Sequence, residues 1–208
     1  MSLQRAVFLA ENGIVVPSDA SSARDGRGAR LLLGAGPGLR LLRDAGFAFH
    51  VFGNRPCVAL GECNEDELTV VAQHLEALLE DEGVGLTGCS FCPHDPRGVR
   101  RDYAVDCLCR LPRPGLLQRA AREHGIDLER SWLIGDSLDE IEAGVRVGCR
   151  TVLLDDGREQ EWRLSELRLP HHVAEGLGEA ALLILEDEHV LDWRRRATAA
   201  SGPGAQRG

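Results

Sequence analysis

The chain has 208 residues, 43% hydrophobic and 27% charged, with a formal charge of −9. A chain of this length buries a sizeable core, and its acidity argues against a nucleic-acid partner, whose phosphates need an excess of cations. All 24 basic residues are Arg, which removes any chemistry that needs a Lys, such as Schiff-base formation or a P-loop.

Residues 5–10 form a short apolar run that stops at Glu11-Asn12-Gly13, the pattern of a buried strand opening into a loop. Residues 17–36, rich in Ser, Asp, Gly and Arg, read as an exposed loop. Leu39, Leu41 and Leu42, followed by Gly46, read as a short helix with a glycine stop. Phe47 to Phe52 is a second strand, ending at Gly53-Asn54. Asn64-Glu65-Asp66-Glu67 caps a long helix whose apolar positions Leu68, Val71, Leu75 and Leu78 step by three and four.

Leu86 to Phe91 is a third strand, and 92–115 a structured loop rich in Cys, Pro and Arg. A helix over 116–125 follows, then a strand Trp132–Asp136, a helix faced by Leu138, Ile141 and Val145, and a strand Arg150–Leu154. From His189 the composition is that of a tail, with 194–208 expected to be disordered and 1–193 forming one domain.

No run approaches the ~18–20 apolar residues of a membrane span, and Ala6–Ala10 is too short for a signal-peptide core. A cytoplasmic protein with no membrane contact is expected. Near-continuously apolar strands alternating with helices predict a three-layer, Rossmann-like α/β fold around a parallel sheet. Ligands of such sheets lie at the carboxyl ends of the strands, where Glu11-Asn12, Gly53-Asn54 and Asp136 fall.

The seven cysteines are an odd number, which favours thiols or metal ligands over disulfides. Cys92-x-His94 and Cys107-x-Cys109 give four thiolate or imidazole donors within a loop of about 89–110. A Cys3His set is a closed tetrahedral zinc shell with no open position, hence structural. Cys89 competes for one place. Cys57, Cys63 and Cys149 read as ordinary semi-buried thiols.

Phe8-Leu9 with Gly13, the Cys-x-His…Cys-x-Cys loop, Arg110-x-Pro112-x-Pro114-Gly115 and Ile134-Gly135-Asp136-Ser137 occur in a familiar order. Over about residues 5–160 the chain resembles one branch of the haloacid dehalogenase (HAD) superfamily. That branch is the zinc-containing D-glycero-D-manno-heptose 1,7-bisphosphate and histidinol phosphatases. The resemblance implies a HAD fold with a minimal cap. It also implies a mechanism in which a first-strand Asp-x-Asp supplies the nucleophile and the acid/base. Mg2+ is held by these and by an acid after the fourth strand, while a Ser or Thr and a Lys hold the phosphate.

In this chain those positions carry Ala10, Asn12, Gly53 and Leu111, and only the metal-side Asp136 remains. Ala10 has no nucleophilic atom, Asn12 cannot exchange a proton at useful pH, and Mg2+ loses a carboxylate and with it much affinity. Glu11 adjoins the lost nucleophile, but on an extended segment its side chain points the opposite way. Asn54, Arg55, Arg110 and Arg113 remain to hold a phosphate; Arg grips one bidentately, and Arg110 matches a substrate contact of the family. With two carboxylates gone, the cleft is expected to repel an anion less. The expectation is a pseudophosphatase that binds a sugar phosphate or a protein partner from sugar-nucleotide metabolism. The alternatives are a working phosphatase on heptose 1,7-bisphosphate or histidinol phosphate, and a zinc-stabilised interaction module.

Overall fold

Alternation sets the two faces of the first strand, β1 (Ala6–Ala10): Val7 and Leu9 point to one side, Ala6, Phe8 and Ala10 to the other, all fully buried. A computed structural model describes residues 3–16, 29–155 and 165–200 of the chain. A 3-10 turn (Glu11–Gly13) follows β1, and β2 (Val15–Val16) pairs antiparallel with β3 (Arg30–Leu31). Helix α1 (Ala35–Asp44) leads into β4 (Ala48–Asn54), α2 (Glu65–Asp81) into β5 (Gly88–Cys92), and α3 (Gly115–His124) into β6 (Trp132–Gly135). Then come α4 (Leu138–Arg146), β7 (Arg150–Leu154), β8 (His172–Ala174) and α5 (Leu177–Ala200).

Six strands form one parallel sheet in the order β5-β4-β1-β6-β7-β8. Leu39 and Leu42 of α1, Val71, Leu75 and Leu79 of α2, and Leu177, Ala180, Ala181 and Ile184 of α5 cover one face. Leu116, Leu117 and Ala120 of α3, with Leu138, Ile141 and Ala143 of α4, cover the other. This is the expected three-layer α/β arrangement. Because the strand order reverses at β1, the crevice beyond its carboxyl end is the position where such sheets take ligands. Among the described residues no helix is long and apolar enough to cross a membrane.

Local chemistry explains the element ends. Asn64 Oδ1 accepts from the Glu67 amide at 3.0 Å and Glu67 Oε2 accepts from the Asn64 amide at 2.8 Å, so a capping box starts α2. Gly125 takes the left-handed conformation (φ 63°) that ends α3. Gly38 lies where α1 crosses α5; a Cβ there would meet the Leu177 carbonyl at 2.6 Å.

Three expectations need correction. Helix α5 runs to Ala200, so residues 194–200 are helical rather than tail. Its buried positions Leu177, Ala180, Ala181 and Ile184 anchor it, and Glu188 receives hydrogen bonds from Arg5 (2.7 Å) and Trp132 Nε1 (3.0 Å). The region 17–36 is not wholly an exposed loop, since α1 begins inside it with Ala35 and Gly36 buried; positions 17–28 lie outside the described residues, as do 201–208. Cys57 and Cys63 are disulfide-bonded, with Cα atoms 5.3 Å apart, rather than separate thiols. A turn from Pro56 to Cys63, tied by the Leu60 to Pro56, Gly61 to Val58 and Glu62 to Cys57 backbone bonds, brings the two together.

Candidate functional site: an acidic cleft beside a four-donor metal centre

The loop after β5 gathers the four predicted soft donors. Sγ of Cys109 lies 3.2 Å from Cys92, 3.3 Å from Cys107 and 3.4 Å from His94 Nδ1, and all four donor atoms lie within 4.8 Å of one another. Sulfurs on a tetrahedron of 2.3 Å metal bonds stand about 3.8 Å apart, so the observed edges suit one small ion held by all four. Mutual contact pulls the Cys109 thiol down to about 5 and pushes Cys92 up, which leaves an anionic sulfur in the cluster. The donor set can therefore hold a metal ion. Cys89 is outside it.

The disulfide-closed turn braces this loop. The Ala59 amide donates to the Pro93 carbonyl, and the Ala59 carbonyl accepts from Val99 (2.8 Å) and Arg100 (3.0 Å). Asp95, 2% exposed, accepts from the Arg97 side chain and amide and from Arg110 Nη2 at 2.9 Å. Those bonds, led by Arg97, hold its carboxyl at about 2. Arg110 also donates to the His94 carbonyl (2.8 Å), and Arg113 to the Cys107 carbonyl and to Asp106 (2.9 Å). Two of the three predicted phosphate-gripping arginines, Arg110 and Arg113, are thus oriented by the metal loop. With Arg146, three prolines and Glu142 they line a recess of about 540 Å³. Arg146 was readable only as the partner of Glu142 one helical turn earlier, a pair the structure shows at 2.5 Å.

The crevice beyond β1 is smaller, about 200 Å³, lined by Glu11, Asn12, Gly53, Asn54, Leu111, Ser137, Asp139 and Glu140. Sequence reasoning brought Asn12, Gly53, Asn54 and Leu111 here, and the Asn54 Oδ1 accepts from the Leu111 amide at 3.2 Å. Ala10 is fully buried and is not among the residues that line the crevice.

Glu11 departs from the expectation. The 3-10 turn ends the strand alternation at Ala10, so the Glu11 side chain turns into the crevice rather than away. Its carboxylate accepts from Arg55 Nε at 2.9 Å and from Nη2, and each side chain is only about a tenth exposed. The signal that would have revealed this is Gly13, whose turn begins one residue after Ala10. The crevice therefore already holds a carboxylate, with its guanidinium, where an anion was expected to enter. Arg55 is neutralised, Asp139 pairs with Arg168 at 2.7 Å, and Glu140 stands beside Asp136.

Glu140 is buried with its Oε2 accepting from the amides of Asp136 (2.8 Å) and Ser137 (3.1 Å). Burial and the neighbouring Asp136 push its carboxyl up to about 8, so it is mostly protonated at neutral pH. A hard divalent cation needs several anionic oxygens. With Ala10 donating none, the residues around Asp136 lack a carboxylate of the expected Mg2+ set and fit the ion poorly.

Comparison with known proteins follows the same lines. The pattern of the HAD-hydrolase-like family matches residues 108–180. A D-glycero-beta-D-manno-heptose-1,7-bisphosphate 7-phosphatase of Haemophilus ducreyi is 30% identical over 152 residues, covering 73% of this chain and 82% of that one. The chain belongs to the HAD-like hydrolase family. A second such phosphatase, from Yersinia pestis, is 33% identical over 115 residues, 55% of this chain and 61% of its own, so this HAD chain spans about three fifths of that relative. The solved D,D-heptose 1,7-bisphosphate phosphatase of B. bronchiseptica, complexed with magnesium and phosphate, superposes with a TM-score of 0.72 at 23% identity, covering 88% of this chain and 99% of that one. That likeness establishes the HAD fold.

Proposed function

We propose that this HAD-fold protein has no phosphatase turnover and binds a sugar phosphate without hydrolysing it. The observation that carries the reading is Ala10: at the carboxyl end of β1, where the resemblance puts the attacking carboxylate, the chain offers a fully buried methyl group. Loss of a nucleophile alone can remove about 10^6 in rate. Asn12 offers no general acid, and no Mg2+ step is available. The recess lined by Arg110, Arg113 and Arg146 supports retention of an anionic ligand, because guanidiniums already fixed by backbone carbonyls and acids lose little freedom on binding. Hydroxyl-rich parts of a sugar would find Asp106 and Glu142 on the same rim.

Zn2+ is the ion we assign to Cys92, His94, Cys107 and Cys109. It takes thiolate and imidazole donors tetrahedrally, and four protein ligands leave it a structural role. When bound it would hold the Arg110 and Arg113 loop in shape; it supplies no chemistry to a substrate. A cytoplasmic location accompanies this reading: thiol ligands survive best in a reducing compartment, where the Cys57–Cys63 disulfide would be open.

Two measurements test it. Phosphate release from heptose 1,7-bisphosphate, histidinol phosphate and an aryl phosphate, with Mg2+ present, is expected to stay at background; metal-dependent turnover near 1 s^-1, an ordinary enzymatic rate, would make the protein an active phosphatase instead. A sugar phosphate at millimolar concentration is expected to raise the melting temperature, and Arg113→Ala to abolish the rise. No rise with any phosphorylated sugar would leave a protein-binding module as the better reading.

A further inference from the structure

We propose that the Glu11 carboxylate is a built-in anion: it occupies the anion subsite of the crevice beyond β1 and holds Arg55, so that phosphate enters only when Glu11 is removed. The inference concerns the crevice and is independent of the Arg110–Arg113 recess.

Three observations carry it. The Glu11–Arg55 pair is bidentate and buried, with side chains 10% and 11% exposed, so the guanidinium is committed to an internal partner. The carboxylate lies over Gly53: a Cβ at that position would stand 3.6 Å from both Glu11 Cβ and Oε2, with Phe91 Cδ1 at 3.9 Å. The pair also sits at the carboxyl end of β1 and β4, with Glu11 and Gly53 both lining the crevice where parallel sheets of this kind receive ligands. A carboxylate there mimics in charge and hydrogen bonding what an external anion would bring. It pairs with the same planar donors that grip phosphate bidentately.

The remaining charges around the crevice act in the same direction. Asp139 is balanced by Arg168, Glu140 holds its proton, and Asp136 adds a carboxylate on the β6 side. An incoming phosphate dianion would meet the Glu11 carboxylate, and no cationic side chain is among the described residues that line the crevice. Removing Glu11 shifts the balance: the buried Arg55 loses this bidentate carboxylate, and an anion from solution can take the place it occupied. The released volume beside Gly53 gives it room.

The test measures melting temperature with and without about 10 mM inorganic phosphate for the wild type, Glu11→Ala, Glu11→Gln and the double variant Glu11→Ala/Arg55→Ala. Any shift arising at the recess is common to all four, so the increment over wild type is the readout. For a dissociation constant of about 1 mM, Glu11→Ala is expected to gain about 3–5 °C more than the wild type. Glu11→Gln, which keeps the bulk, should gain less, and the double variant none. Glu11→Ala that folds only in phosphate would also support the proposal. Equal shifts in wild type and Glu11→Ala, or an increment retained by the double variant, would overturn it. Should Glu11→Ala not fold at all, wild-type crystals soaked in tungstate decide: a tungstate beside Arg55 refutes the proposal, and none there agrees with it.

Discussion

Acid should unfold this protein partly through one histidine. His50 lies in the middle of β4, 1% exposed, with Nε2 2.9 Å from Ser90 Oγ. Among the described residues its Nδ1 has no hydrogen-bond partner. The groups facing it are the Phe8 ring at 5.8 Å and the His124 ring at 5.4 Å, with Arg119 contributing a positive field. Burial first, then His124 and Arg119, lowers its pKa from 6.5 to about 4. Below pH 6.5 the unfolded chain therefore binds a proton that the folded chain refuses, so this site's contribution to stability rises with pH and is lost as pH falls from 6.5 to about 4. At 1.36 kcal/mol per pH unit the full loss is about 3 kcal/mol, of which about 2 kcal/mol falls between pH 7 and pH 4.5. His50→Leu removes the titration and leaves Ser90 without its ring partner, a cost that does not vary with pH. Urea denaturation of both proteins at pH 7, 5.5 and 4.5 is the assay. The wild type should lose about 2 kcal/mol more than His50→Leu over that range, and acid loss of the metal, common to both, cancels. Parallel pH profiles would show that His50 is not held neutral by its surroundings.

The remaining predictions concern the loops and the helix crossing. Elemental analysis of purified protein should find about one equivalent of Zn2+, absent in Cys107→Ser; because structural zinc supplies much of the folding energy of small loops, chelator should lower the wild-type melting temperature and leave that variant unchanged. Cys57→Ser opens a short covalent loop and should cost about 2 kcal/mol in urea denaturation under oxidising conditions; under reducing conditions the two proteins should converge. Gly38→Ala forces a methyl against the Leu177 carbonyl at the α1–α5 crossing and should destabilise by about 1–3 kcal/mol, whereas Gly85→Ala, with open space around it, should change little.

Much of the molecule was legible because its signals are local. Apolar runs gave five of the sheet's six strands to within two residues, since a strand buried on both faces must be apolar throughout. The Asn64 cap and the glycine stops marked helix ends, and two C-x-[HC] pairs identified the metal ligands because a tetrahedral shell needs donors of that type at that spacing. The edge strand β8 carried too little pattern to be read, being three residues long and half exposed. Helix α5 was misread at its end because its charged residues find partners only through the fold: Arg5, Trp132, Arg150 and His172 reach Asp187 and Glu188 from distant strands.

Residue types along the chain settle which atoms the site lacks: no carboxylate at position 10, no acid at 12, no hydroxyl at 53, no ammonium at 111. Residue identity alone decides whether an atom is present. Where the remaining charges go was decided only by the tertiary structure. Glu11 turned inward because a 3-10 turn broke the strand's alternation, Arg110 and Arg113 were anchored by carbonyls of the metal loop, and Cys57 met Cys63 across a turn. Pairings of that kind depend on a few ångströms of backbone path, which residue type and spacing do not encode.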